Sequence, residues 1–284
     1  MTRISLFCFL LLGLWRISSG QSPGDAPVEE RPDLQHVFAA HNVDGAFLVY
    51  DLTANRYTAY QPDEGRRGTL PGSTFKIVNT LIGLETGHLT SPETAIGWDG
   101  VSRNIPGWNQ SHTLESAFRR SVMPYFQELA RRIGVADMRA FLEHIDYGKM
   151  AVSRSTLDRF WLTGNSSVSL FDQVRFLTSV LNGTAPFSAE NRAVLRFLMR
   201  ADATPEYKLF VKTGWVGFGR DEGVPAPKEL IDLGWCVGYL ERADGHQFIF
   251  ATRLSSPAPV PDHWPDARKL VTLDCLKNLG IICR

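Results

Sequence analysis

A serine and a lysine sit three residues apart, Ser73 and Lys76, in the stretch LPGSTFKIVNTLIGLETG between residues 70 and 87. On a helix that spacing places both on one face, with Cβ atoms about 5–6 Å apart. A hydroxyl at a helix start also meets free backbone N–H groups and the positive end of the dipole, which favour developing negative charge. Ser73 is thus a candidate nucleophile and Lys76 its candidate base. The neighbours of Lys76 are almost all apolar and exclude water. Desolvation lowers a lysine pKa from its solution value of about 10.4 and exposes the free amine. Taken alone, the pair still favours a plainer reading, a capping serine followed by a solvated lysine.

Further residues shift that balance. KTGW at 212–215 lies in a strand-like run, so Lys212 and Gly214 share a face, and Gly214 permits close backbone approach. By itself Lys212 reads as an edge-strand charge that blocks aggregation. RSVM at 120–123 offers Ser121 between two helical segments; alone it reads as a loop hydroxyl or an N-cap. DYGK at 146–149 is a tyrosine-glycine turn, and RFWLTG at 159–164 carries Trp161, an indole donor that by itself fits a core role.

The elements that must position these residues are legible from periodicity. GAFLVYD (45–51) and RYTAY (56–60) read as a hairpin. Helical spacing dominates the middle: Ser73 to Thr86 stopped by Gly87, a short helix capped by Thr113 and running through Arg119, and YFQELARRI with Pro124 in its first turn and Gly134 at its end. DMRAFLEHI gives another helix. Ser169 with Asp172 makes a capping box, and Ser188 caps ENRAVLRFLM. After Pro205 strands return at 208–215, 233–240 and 247–254, the last two joined through Asp244-Gly245, before a helix from about Trp264 to Leu279. Strands at both ends with helices between imply an α/β fold of the α+β type. Its antiparallel sheet, built from N- and C-terminal strands, is flanked by helices and carries an all-helical insert. The expected division is a leader at 1–20 and one catalytic domain at 21–284, with its α/β part at about 34–70 and 205–284 and its helical part at about 88–204.

Bulk properties exclude several classes. Acidic and basic residues balance at 30 each over 284 residues, which argues against a nucleic-acid or anionic-membrane surface. Met1 to Arg3 carries one positive charge, Ile4 to Trp15 is apolar, and Ser18-Ser19-Gly20 is small, the layout of a secretory leader. The apolar part falls short of the about 20 residues that span a bilayer. Cys236, Cys275 and Cys283 lie beyond it; an odd count allows at most one bridge, and proximity favours Cys275 with Cys283. There is no HExxH, zinc-ribbon cysteine spacing, GxSxG elbow or phosphate-binding GxxxxGK[ST].

The order SxxK, S-x-V-like, YG, FWL, KTG is that of penicillin-recognising serine enzymes. Over nearly the whole length after the leader, the chain resembles the class D, or oxacillinase-type, serine β-lactamases. PGSTFKIVNTLIGLETG is similar to that family's nucleophile helix, and WDGVSRNIPGWNQSHTLESAFRRSVMPYFQELARRIG to the segment leading into its second serine motif; DRFWL, PEYKLFVKTGW and DARKL match too. The resemblance implies the serine β-lactamase/penicillin-binding-protein-like fold and roles for the candidates. Ser73 is the acylated nucleophile, and Lys76 is N-carboxylated by CO₂ or bicarbonate and acts as general base, with Trp161 donating to the carbamate. Ser121 and Lys212 relay a proton to the leaving nitrogen. The backbone N–H groups of Ser73 and Trp215 form the oxyanion hole. Thr213, Gly214, Trp215, Arg268 and Met123 line the substrate, with Thr213 and Arg268 on its carboxylate. It implies a small-molecule β-lactam as partner, no metal or organic cofactor, no nucleic acid, no stable membrane anchor, a monomer or homodimer, and a periplasmic location. Met123 stands where the family has valine, and Lys149 where it has asparagine; an ammonium there either attracts anionic substrate or points to solvent. Two other readings share the motifs: a penicillin-binding sensor that acylates but deacylates slowly, and a D,D-peptidase. STFK and Trp161 favour the carbamate-using family.

Overall fold

Strands from the two ends of the chain meet in one sheet, and that closure brings Ser73 to Lys212. The computed structural model describes residues 26–217, 231–257, 260 and 262–283. The leader expected at 1–20 lies outside them, as does nearly all of the loop at 217–229. The first half runs β1 (Val28–Glu30), α1 (Gln35–Ala40), β2 (Asp44–Asp51), β3 (Arg56–Tyr60), α2 (Pro62–Arg66), α3 (Lys76–Glu85), β4 (Ala95–Ile96), β5 (His112–Thr113), α4 (Leu114–Arg119) and α5 (Met123–Ile145). Then follow α6 (Leu170–Asn182), α7 (Ala189–Met199), β6 (Arg200–Ala203), β7 (Tyr207–Val216), β8 (Ile231–Arg242), β9 (Gln247–Pro257) and α8 (Trp264–Asn278).

The main sheet has the order β1-β3-β2-β9-β8-β7-β6. Its central strands are apolar on both faces because both faces are covered. In β2, Ala46, Leu48 and Tyr50 enter one core and Phe47 and Val49 the other. The same alternation sends Ile249 and Ala251 of β9 to the first core and Phe248 and Phe250 to the second. The first core contains Ile77, Val78 and Leu81 of α3, Phe126 and Leu129 of α5, Val174 and Leu177 of α6, and Leu195 and Leu198 of α7. The second contains Val37 and Phe38 of α1 and Trp264, Val271 and Cys275 of α8. The β2–β3 turn is tied by Asp51, whose Oδ1 accepts from the N–H groups of Thr53 and Ala54 at 2.9 Å each.

The expected α/β architecture and sheet are present, with departures at the margins. β1 pairs with β3 in parallel, so one edge of the sheet is not antiparallel. The middle of the chain is not wholly helical: β4 and β5 form a short ladder, and β6 joins the main sheet beside β7, ahead of the expected boundary at 204. The caps stand as read: Thr113 accepts from Ser116 N, Ser188 from Asn191 N, and Ser169 and Asp172 close a capping box. Gly134, at φ 81°, breaks α5 where the two helical patterns meet. The Cys275–Cys283 bridge does not form: both are free thiols, Cys275 buried in the second core and Cys283 exposed, and Cys236 is also a buried thiol.

Candidate active site

The nucleophile is presented by a 3₁₀ turn, Gly72–Phe75, that leads directly into α3, so the α-helix begins at Lys76 rather than at Ser73. Gly72 opens this turn at φ +54°, a left-handed conformation natural to glycine; a Cβ there would lie 2.9 Å from Val216 Cγ2 and 3.0 Å from the Trp215 carbonyl oxygen. Its N–H donates to the Trp161 carbonyl at 2.9 Å. The turn and β7 touch again at Gly214, where a Cβ would meet Thr74 Cγ2 at 3.1 Å and the Pro71 carbonyl oxygen at 3.2 Å. The two glycines therefore let the backbone of Ser73 approach that of Trp215, the pair expected to form the oxyanion hole.

Lys76 Nζ donates to Ser73 Oγ at 2.6 Å, and Lys76 is only 1% exposed. Its amine lies 5.4 Å from the centre of the Phe126 ring. On the other side of the sequence, Phe75 stacks on Trp161 with ring centres 5.4 Å apart. Trp161 is fully buried, and its indole N–H has no hydrogen-bond partner among the described residues. A buried donor without an acceptor costs about 1–3 kcal/mol.

Lys212 Nζ donates to Ser121 Oγ at 2.6 Å and to the Thr213 carbonyl at 2.8 Å. Burial holds the Lys212 pKa well below 10.5, with the positive charges of Lys76 and Arg268 acting in the same direction. Ser121 itself has φ +54°, a strained value for a non-glycine residue, in the turn between α4 and α5. Arg268, on α8, donates to the Gly214 carbonyl at 3.0 Å, and its guanidinium lies 5.6 Å from the Trp215 ring centre.

A cleft of about 890 Å³ is lined by Ser73, Ser121, Met123, Thr213, Gly214, Trp215 and Arg268, together with the 101–108 loop. Every expected site residue is thus at the cleft or directly behind it: Lys212 and Lys76 reach it through the two serines, and Trp161 sits beneath the nucleophile turn. Lys149 is not in the lining. It is exposed, and its backbone pairs with Ser167, so the solvent reading of that ammonium holds.

Two supports reach beyond the motif residues. Tyr147 Oη donates to Gln173 Oε1 at 3.0 Å, Gln173 Nε2 donates to Thr74 Oγ1 at 2.8 Å, and Thr74 Oγ1 donates to the Pro71 carbonyl at 2.8 Å. This buried chain braces the turn behind Ser73; burial raises the Tyr147 pKa, so its hydroxyl stays a donor. Trp215 Nε1 donates to Asp232 Oδ1 at 2.6 Å, which fixes the ring that forms one wall. The tyrosine-glycine turn pointed to Tyr147; no local pattern marked Gln173 or Asp232.

Residues 53–268 match the penicillin-binding protein transpeptidase domain. The β-lactamase OXA-5 of Pseudomonas aeruginosa is 31% identical over 246 residues, covering 86% of this chain and 87% of that protein. Among solved structures, the class D β-lactamase YbXI from Nostoc superposes with a TM-score of 0.79 at 33% identity, covering 88% of this chain and 99% of its own. The C-terminal domain of the Bacillus licheniformis BlaR penicillin receptor also reaches a TM-score of 0.79, at 28% identity, over 91% of this chain and 98% of its own. Together with the paired serine–lysine dyads, these matches make the chain a member of the penicillin-binding-protein transpeptidase-domain family and, within it, a class D serine β-lactamase.

Proposed function

We propose that this β-lactamase opens its substrates through an acyl-enzyme on Ser73, with Lys76 N-carboxylated by CO₂. The observation that carries this reading is the 2.6 Å contact between Ser73 Oγ and an amine only 1% exposed. A carboxylated amine supplies an anionic general base, a form of help worth roughly 10²–10⁴-fold. Ser73 Oγ loses its proton on the Lys76 side and bonds to the lactam carbonyl carbon. The backbone N–H groups of Ser73 and Trp215 hold the oxyanion; loss of one such donor typically costs about 2.7–4 kcal/mol. The C–N bond then breaks, and the leaving nitrogen takes its proton from Ser121, which Lys212 resupplies. Arg268 and Thr213 hold the substrate carboxylate, for which a planar guanidinium is suited. Water then cleaves the Ser73 ester. Met123 lies in the cleft lining, where its longer, flexible apolar side chain tunes the access of water and CO₂.

Steady-state hydrolysis of a chromogenic cephalosporin tests the reading. Repeated turnover that rises with added bicarbonate is the expected result, and Ser73→Ala should abolish covalent labelling by penicillin. A single stoichiometric burst would instead favour the receptor reading, which the BlaR likeness keeps in view. Hydrolysis of D-Ala-D-Ala peptides without β-lactam turnover would favour a peptidase. We further propose that residues 1–20 direct export to the periplasm. The mature amino terminus should then begin just after Gly20, and recovery of the intact chain from the cytoplasm would oppose this. Among the described residues no helix is long and apolar enough to cross a membrane.

A further inference from the structure

The molecule as a whole is electrically balanced, yet its cleft is not. Arg103, Arg119, Arg120 and Arg268 all line it, and no aspartate or glutamate does among the described residues. Two of these charges are answered within the fold. Arg103 pairs with Asp99 at 2.6 Å, and Arg119 pairs with Glu115 at 3.0 Å. Arg268 is committed to the site described above. Arg120 is left over. It is exposed and has no ion pair among the described residues, and it immediately precedes Ser121. Its Nη1 lies 3.9 Å from where a Gly107 side chain would begin, which places the guanidinium against the 101–108 wall.

Arg268 enters the cleft from α8, and Arg120 enters from the turn between α4 and α5. One anion is expected at Arg268, the carboxylate on the ring system of the substrate. We propose that Arg120 reads a second anion, a carboxylate or sulfonate on the substrate's acylamino side chain, so that the enzyme prefers dianionic β-lactams. The same cleft lining offers Val101 and Ile105, 53% and 47% exposed, as apolar cover for the rest of that side chain. A guanidinium with several planar donors suits such a group. The inference rests on the β-lactam reading and adds a substrate class to it.

The test compares benzylpenicillin with its α-carboxy analogue, which differs by one carboxylate. Rates are normalised to the fraction of enzyme that penicillin labels covalently, so a partly misfolded variant does not distort them. The ratio of kcat/KM, analogue over parent, should fall about tenfold in Arg120→Gln, an effect of ~1.4 kcal/mol. Arg120→Lys, which keeps the charge without the planar fork, should retain only part of the preference, and the wild-type ratio should shrink as salt rises. A ratio unmoved by Arg120→Gln overturns the inference while leaving the β-lactam reading standing. Failure of the wild type to react with either penicillin overturns both.

Discussion

Trp161 and Lys212 are the residues whose surroundings say most about the chemistry. An indole N–H with no acceptor in a fully buried position is costly unless an acceptor completes it. Trp161→Phe removes the donor and keeps most of the ring. Turnover should fall by about tenfold or more, as for loss of one charged hydrogen bond, and the bicarbonate concentration giving half-maximal rate should rise. Unchanged bicarbonate dependence in a titration would separate Trp161 from the base. Lys212 carries a stability signature. Its native pKa is depressed above all by burial, with the Arg268 cation acting in the same direction, so below 10.5 the unfolded chain binds a proton that the native site resists. Between the depressed value and 10.5, stability therefore rises with pH, by up to about 1.4 kcal/mol per unit for one proton. Below the depressed value both states are protonated and the slope vanishes. Urea unfolding of Lys212→Met across the neutral-to-alkaline range should show that slope removed.

At the scale of elements, the site depends on the 3₁₀ turn and β7 fitting together without a side chain between them. Gly72→Ala must adopt φ +54° and place a methyl 2.9 Å from Val216 Cγ2. The conformation alone costs about 1–2 kcal/mol, and displacement of the turn should slow acylation by about 10²-fold; stopped-flow acylation kinetics and thermal unfolding together would show both losses. This fit also marks where reading the sequence stops. The capping residues Thr113, Ser169 and Ser188 announce their helices because capping is local chemistry. The Ser73–Lys76 pair is legible for the same reason, its spacing being helical. Gln173 looks like any polar residue on α6, and its bond to Thr74 joins residues 99 positions apart. The parallel β1–β3 pair and the β6 edge are likewise set by long-range pairing, which periodicity along one strand does not encode. The two thiols at 275 and 283 are close in sequence, but Cys275 belongs to the buried side of α8 and Cys283 to the surface beyond it.

Across the whole molecule, Arg253 ties the sheet to the segment that leads to the nucleophile. It is 2% exposed on β9, and it donates to the carbonyls of Arg67 at 2.6 Å and Glu64 at 2.8 Å and to the Glu64 carboxylate at 2.5 Å. Removing one partner of a buried pair costs roughly 3–5 kcal/mol; because the Glu64 side chain is 35% exposed and can rehydrate, Arg253→Ala should fall at the lower end. A denaturant titration monitored by tryptophan fluorescence would read the loss. Glu64→Gln should cost less, since the two carbonyl acceptors remain.

The central claim is that Lys76 in the native enzyme carries a carboxyl group derived from CO₂. Carbon NMR of the enzyme equilibrated with ¹³C-labelled bicarbonate addresses it directly. A protein-bound carbonyl resonance that appears in the wild type, is absent from Lys76→Ala and fades as CO₂ is removed together with turnover is the predicted result. An enzyme that turns over β-lactams at full rate with no such resonance would contradict it.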